Sequence, residues 1–430
     1  MEKPLHVTLN QLENEQFVNN NKDGKLSFTR YRVFSFQNLV VLILQLHRAL
    51  SRELSDFVNS LQKEGVDLTS ISKAAFSKAR QKLQYTAFIE LSKTFVGAHY
   101  QYSEKIWVWK KFRLLAADGS TVEVPNSAEI KKEWGVFKER GDGKKICMAR
   151  TLQVYDVLNR LIIGGEIDSI KESETALLWK QLPMVAPIEG HDDLWLFDRY
   201  FASHLLIFYL HSINAQYCFR MKKDWWKICE SFFKSGESSR IINLTLPQKD
   251  KQRANELGII DRAISVRLAR IELESGEIEI LLTSLLDEEN VSIADLKELY
   301  GYRWPVETNY RMLKHKVDIE NFSGKNIKAV RQDYYAKIFM LNLVSGLVNP
   351  IDNLLKEKTH TKHTQQANFT NALGKLKTAV VDWFIHRNIS NSLRKIIDYL
   401  LKTPEIVRKG RKFKRPKLPK RKYHMNYKPV

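Results

Sequence analysis

Tyr300, Arg303, Glu307 and Lys314 follow one another at intervals of three, four and seven residues. On an α-helix those steps keep all four side chains on one face. One carboxylate flanked by two cations and a phenol makes a poor apolar-core face. It makes a good surface for holding a metal ion beside a phosphate: Arg offers a bidentate fork, Lys a point charge and Tyr a hydroxyl donor. Pro305 modifies the geometry, because it disfavours helical backbone at Trp304. A helix is therefore predicted to restart there, with Glu307 in its first turn and Tyr300 and Arg303 on its approach. One face then holds strictly only for Glu307 and Lys314.

Two further acids stand in a related setting. Arg113 to Asp118 is a short apolar run ending in an acid and followed by Gly119-Ser120; Asp193 to Asp198 is another. Neighbouring strands place their terminal side chains close together, so Asp118 and Asp198 could converge, with Glu307 leaning across from its helix. Three such carboxylates repel one another by roughly 1 kcal/mol per pair in water, and more when partly buried. The cluster is stable mainly as a cation site. All-oxygen ligation selects a hard ion, Mg2+ first, with Mn2+ able to substitute. Two ions about 3.5–4 Å apart could activate a water or a 3′-hydroxyl and stabilise the leaving oxygen of an in-line displacement. Each acid alone has a simpler explanation. Asp118 could cap a turn, Asp198 could pair with Arg199 at the surface, and Glu307 could complement a helix dipole. Their joint occurrence with the Tyr, Arg and Lys spacing weighs against all three at once.

These residues must be positioned by an α/β scaffold. Residues 1–105 carry helical periodicity, with Leu39, Leu42, Ile43 and Leu46 on one stripe. A second helical pattern covers Ile71 to Leu83, with Thr69 or Ser70 as N-cap, Phe76 inward, and Lys73, Lys78, Arg80 and Lys82 outward. That basic face is either simply solvated or a DNA contact. Strands are predicted at 113–118, 149–157, 160–167, 193–198 and 217–221, with helices at 175–182 and 203–213. Residues 222–285 read as a β-rich insertion, with strands at 240–246, 263–272 and 277–285. Helices return at 293–300 and run through Glu307, then over 327–347 and 369–401.

Of the net charge of +20, eleven Lys or Arg residues lie between Arg408 and Lys428 without an acid, leaving +9 on the remainder (20 − 11). Body and tail are both basic, which favours a polyanionic partner. Cys147, Cys218 and Cys229 form no CxxC pair, so a zinc ribbon or a disulfide framework is not expected. A reducing cytoplasm suits them. The N-terminus shows no signal-peptide pattern. Phe34 to Leu46, the most apolar stretch, is too short to span a bilayer and reads as a core helix.

The chain resembles the DDE transposases of bacterial insertion sequences, specifically the group with a Y-x2-R-x3-E-x6-K signature. Tyr300, Arg303, Glu307 and Lys314 match that signature without a gap. Asp118-Gly119-Ser120-Thr121-Val122 resembles the group's first acidic motif, Leu196 to Phe201 its second, and Ile319 to Lys325 its downstream segment. The resemblance covers roughly residues 70–350. It implies a ribonuclease-H-like catalytic core (106–221 and 286–350) interrupted by the β-rich insertion. A helical N-terminal DNA-binding region (1–105), a helical C-terminal region (351–405) and a basic tail (406–430) flank that core. It also implies that Asp118, Asp198 and Glu307 are the metal-binding triad, and that Tyr300, Arg303 and Lys314 grip phosphates of double-stranded DNA. The expected activity is cut-and-paste transposition by a homodimer holding two element ends, in the bacterial cytoplasm with the nucleoid. Trp225 and Trp226 either stack on an extruded base or pack the insertion against the core. Another ribonuclease-H-like nuclease, or a domesticated DNA-binding protein without activity, remains an alternative.

Overall fold

The computed structural model describes residues 1–29, 33–47, 50–61, 72–139, 145–357 and 363–407; the basic tail from Arg408 onward lies outside them. The chain opens with helices α1 (Glu2–Glu13), α2 (Glu15–Asn20), α3 (Phe36–Gln45), α4 (Leu50–Leu61), α5 (Lys73–Arg80) and α6 (Thr86–Tyr102). α3 is the predicted core helix. Ser35 caps it by accepting the Asn38 N–H, and Leu39, Val40, Val41 and Leu42 are all fully buried. The cap of α5 is Ser72, which accepts the Ala75 N–H; the proposed caps Thr69 and Ser70 lie outside the described residues.

The central sheet follows. β1 (Phe112–Val124), α7 (Ala128–Glu133), β2 (Lys138–Glu139), β3 (Lys145–Asp156) and β4 (Leu161–Ser169) lead into α8 (Glu174–Gln181). Then come β5 (Asp192–Phe197), α9 (His204–Ser212) and β6 (Gln216–Met221). The sheet continues through α10 (Lys227–Ser235), β7 (Ser239–Leu244), α11 (Gln248–Glu256), β8 (Ile264–Glu272) and β9 (Ile278–Thr283). Its nine strands run β2-β3-β1-β5-β6-β9-β8-β7, with β4 paired to β3. The β1/β5 and β5/β6 pairs are parallel and the other ladders antiparallel. The expected strands of the insertion thus extend the main sheet, and its helices α10 and α11 had no counterpart in the sequence expectation.

Alternation along β1 divides the interior. Leu114, Ala116, Val122 and Val124 face the larger core, shared with the N- and C-terminal helices. Leu115 and Ala117 face the smaller one, with α8, α9 and the last strands. Each fully buried leucine contributes roughly 1.5–3 kcal/mol, so this alternation fixes the strand's face firmly.

The remaining elements are α12 (Ile293–Gly301), α13 (Trp304–His315), α14 (Ile327–Glu357), β10 (Gln365–Ala367), α15 (Phe369–Phe384), α16 (Ile389–Lys402) and β11 (Pro404–Ile406). The single helix expected over 369–401 is two, broken where Arg387 takes a left-handed φ of 54°. Among the described residues α14 alone is long and apolar enough to cross a membrane, and 78% of that stretch is buried inside the protein. It crosses the free edge of β4, where Asn342 imitates a strand partner. The amide oxygen accepts the Ile162 N–H at 2.7 Å and the amide nitrogen donates to the Ile162 carbonyl at 2.9 Å.

Candidate active site

The parallel register of β1 and β5 decides where the two aspartates stand. Phe112 pairs with Asp192 and Ala116 with Leu196, a constant offset of 80 residues. Carried two residues further, that offset sets Asp118 beside Asp198. Both then share the face of Leu114, Ala116, Leu194 and Leu196, which is the face toward α13. Asp198 follows the last residue of β5, as expected. Asp118 is not at a strand end: β1 continues to Val124, and Asp118 pairs with Gln153 of β3. The apparent turn Gly119-Ser120 is extended backbone because β3 satisfies its hydrogen bonds.

Glu307 enters from the first turn of α13. The chain breaks between α12 and α13 around Tyr302 and Arg303, with Pro305 in the first turn of the new helix, as Pro305 predicts. Arg303, the residue just before α13, retains helical backbone, so its guanidinium still reaches Glu307 one turn ahead: Nη2 donates to Oε1 at 2.5 Å. Two buried-polar contacts seat this helix on the sheet. The Tyr310 hydroxyl donates to the Asp118 carbonyl at 3.0 Å, and the Asn309 amide donates to Gln153 Oε1 at 2.8 Å. The sequence did not single out Tyr310, Asn309 or Gln153. Their only signal was a polar residue in an otherwise buried setting, which needs the fold to be seen.

Arg303 is the electrostatic centre of the group. It is 5% exposed, and its Nε and Nη1 are buried without hydrogen-bond partners. Burial opposes its charge, but Tyr300, Glu307 and Asp198 together hold it firmly protonated. The Tyr300 ring lies 5.8 Å from the guanidinium, and the Tyr300 hydroxyl is also buried without a partner; burial first pushes that hydroxyl up. Asp118 is half-buried. Burial, and then the charges of Glu307 and Glu174, push its carboxyl up to about 7 against the opposing pull of Arg303 and the Gly119 N–H. Lys314 lies two turns along α13 from Glu307.

Among the described residues no three Asp, Glu, His or Cys side chains are gathered tightly enough to hold a metal ion as they stand. The acids surround a guanidinium instead. The donor set nonetheless fits a hard divalent cation. It is all oxygen, one of its carboxyls is raised by burial and then by neighbouring acids, and it lies beside orphaned donors suited to phosphate oxygens.

Residues 109–343, more than half of the chain, match the family described as Transposase DDE domain. The chain belongs to that family. The matched DDE domain takes in Asp118, Asp198, Glu307 and all four residues of the Tyr-Arg-Glu-Lys spacing. The Escherichia coli (strain K12) protein "Transposase InsG for insertion sequence element IS4" is 21% identical over 240 residues, which are 55% of this chain and 52% of that protein. The chain thus spans about half the length of this curated relative. A cryo-EM structure of the piggyBac transposase synaptic complex with hairpin DNA overlays with a TM-score of 0.47 at 11% identity, covering 93% of this chain and 86% of that one.

Outside the acids of the DDE domain, the residues proposed for DNA part company. Lys73 and Lys78 on α5 are exposed, as expected. Arg80 is not: it is 3% exposed and spends its guanidinium on Gln332, Ser323, Ala329 and Asp333. Trp225 is 47% exposed, with Lys222 Nζ 4.8 Å from its ring centroid. Trp226 is half-buried and stacks on His204 of α9, centroids 3.9 Å apart. Of the two alternatives, Trp226 takes the packing role and Trp225 stays available.

Proposed function

We propose that this chain is a transposase of the Y-x2-R-x3-E-x6-K group, which hydrolyses the phosphodiester bond at the ends of a mobile element and joins the freed 3′-hydroxyls to target DNA. The observation that carries this is the register. The β1/β5 pairing ends at Ala116 and Leu196; continued two residues, it would set Asp118 beside Asp198 on the face that α13 packs against, and the charges of Asp198 and Glu307 both act on Arg303. The β4-β3-β1-β5-β6 portion, with a parallel crossover through α9, supports the finer assignment of a ribonuclease-H-like core interrupted by residues 222–285.

In this reading Asp118, Asp198 and Glu307 hold Mg2+ or Mn2+, two ions in the full arrangement. When bound, such ions supply an activated water or 3′-hydroxyl and a counter-charge for the leaving oxygen. The chain's own groups do the rest. Arg303 releases Glu307 and turns its two unpartnered nitrogens on a phosphate oxygen, and the Tyr300 hydroxyl donates to the same phosphate. Lys314 neutralises a neighbouring phosphate along the strand. Until a cation arrives, the raised carboxyl of Asp118 is protonated in part at neutral pH, which limits repulsion from Glu307. Lys73, Lys78 and Trp225 are carried as further contacts to double-stranded DNA. Two copies acting together would hold two element ends, in the nucleoid-bearing cytoplasm.

A strand-transfer assay with pre-cut ends and divalent metal tests the proposal. Joined product supports it, cleavage without joining indicates a nuclease, and binding alone indicates a domesticated DNA-binding protein. Asp118→Ala, Asp198→Ala and Glu307→Ala should each abolish cleavage and joining while DNA binding persists. Retained cleavage in any one removes that residue from the triad.

A further inference from the structure

Asp198 and Glu307 are each followed by an arginine within reach: Arg199 at the next position, and Arg311 one helical turn along α13. Neither arginine pairs with its acid. The Asp198 carboxylate accepts the Tyr200 N–H at 3.4 Å, and Glu307 is held by Arg303. Arg199 and Arg311 are both exposed, and among the described residues no acid or carbonyl partners either guanidinium. The surface pair of Asp198 with Arg199, a simpler explanation of that acid, is therefore not formed.

Both arginines stand on fixed backbone. The Phe201 N–H donates to the Asp198 carbonyl at 3.0 Å, and the Phe201 ring is 2% exposed, 5.7 Å from Phe197. Two residues on, Ser203 caps α9 by accepting the Leu206 N–H at 3.3 Å. The turn after β5 is thus pinned beyond its crest, with Arg199 and Tyr200, the latter 74% exposed, left outside. Arg311 lies four residues past Glu307 and three before Lys314, on the stripe of α13 that those two share. Four residues are about 6 Å of helix, close to two nucleotides along a duplex strand.

An exposed arginine is often simply solvated. These two differ in standing beside acids without using them, which leaves the acids for a cation and the arginines for an anion. Carboxylates repel a polyanion, so a strand brought to them needs cations alongside, and a guanidinium fork meets a phosphate bidentately. We infer that Arg199 and Arg311 each hold a backbone phosphate of the DNA strand that passes the acids. Arg311 extends the grip of Arg303 toward Lys314, and Arg199 adds one at the end of β5. The inference rests on the reading that these acids act on DNA.

Fluorescence polarisation of the full-length protein on a labelled random-sequence duplex, in EDTA and over a range of KCl concentrations, tests it without any cleavage. Arg199→Ala and Arg311→Ala should each lower the log–log salt slope by about one unit, and the double variant by about two. Arg199→Lys and Arg311→Lys keep the charge and should keep the slope. Arg262→Ala is the control: Arg262 is exposed and without a partner among the described residues, but it lies near His211 at the far end of α9 from Asp198, and its slope should be that of wild type. If Arg199→Ala and Arg311→Ala keep the wild-type slope while Lys314→Ala lowers it, the inference is overturned and the proposed function stands. An equal drop in Arg262→Ala would show an effect of overall charge alone and overturn it too. Slopes lowered as expected, with pre-cut ends left unjoined in the strand-transfer assay, would keep the phosphate contacts and remove the proposed function.

Discussion

Arg80→Ala should unfold the protein more easily without changing its grip on DNA. The Arg80 guanidinium donates from Nε to Gln332 at 2.5 Å, from Nη1 to Ser323 at 2.6 Å, and from Nη2 to the Ala329 carbonyl at 2.8 Å and Asp333 at 2.6 Å. The Arg80 and Asp333 side chains are 3% and 2% exposed. Removing one partner of a buried pair costs about 3–5 kcal/mol, mainly through the charge left behind. Asp333 keeps hydrogen bonds from the Ser323 N–H and hydroxyl, which lowers the damage. Loss of the guanidinium stacked near Phe76, 5.7 Å away, raises it. About 3 kcal/mol results, read as a lowered urea midpoint with an unchanged slope. Arg80→Lys should recover little, since an ammonium cannot supply a planar fork. The DNA assay provides the contrast. A lysine on phosphate contributes about one unit to the log–log salt slope, so Lys78→Ala should lower that slope and Arg80→Ala should leave it alone. A stability loss under about 1 kcal/mol, with a shallower salt slope in Arg80→Ala, would refute the argument and return Arg80 to the DNA.

Three further outcomes are expected. Tyr310→Phe removes the hydrogen bond to the Asp118 carbonyl. It should cost about 0.5–1.5 kcal/mol in urea denaturation and slow end cleavage while leaving end binding unchanged; cleavage at the wild-type rate counts against a positioning role. Burial, its largest cause, holds His99 down at about 4. Its folded value lies below the unfolded one near 6.5, so between pH 6.5 and 4 the unfolded chain takes a proton that the native protein refuses. This group's share of stability, whole above that window, falls as pH falls through it at up to about 1.4 kcal/mol per pH unit. His99→Leu should flatten the acid side of a urea-stability profile, and an unchanged profile would contradict the burial. Asn342→Ala strips both partners from Ile162 at the β4 edge, and about 1–3 kcal/mol should be lost for each group that water does not reach; full stability in denaturant would mean that the edge is solvated.

Much of the scaffold was legible because burial imposes period. The hairpin read at 149–157 and 160–167 is β3 and β4, and the runs at 193–198 and 217–221 are β5 and β6. The helix restart at Trp304 followed from the proline two residues before Glu307. Elsewhere distant contacts overrode the local pattern. Gly119-Ser120 carries turn propensity, yet lies inside a strand because β3 offers it a ladder. Lys73 and Lys78 stayed outside as the helical pattern required, whereas Arg80 found Asp333, 253 residues away, and turned inward. Helices α10 and α11 are nine residues each, too short for periodicity to separate them from the strands around them.

By itself the sequence determined the chemistry available: two aspartates after apolar runs, a glutamate opening a helix, and a tyrosine, arginine and lysine at fixed steps around it. Those are local properties, set by residue type and by the geometry of a helix or strand. Tertiary structure decided which groups share a space. The parallel register of β1 with β5 and the seating of α13 by Tyr310 and Asn309 both depend on contacts between distant segments. Spacing along a chain carries no information about charge brought in from another strand, so the raised carboxyl of Asp118 belongs to the fold alone.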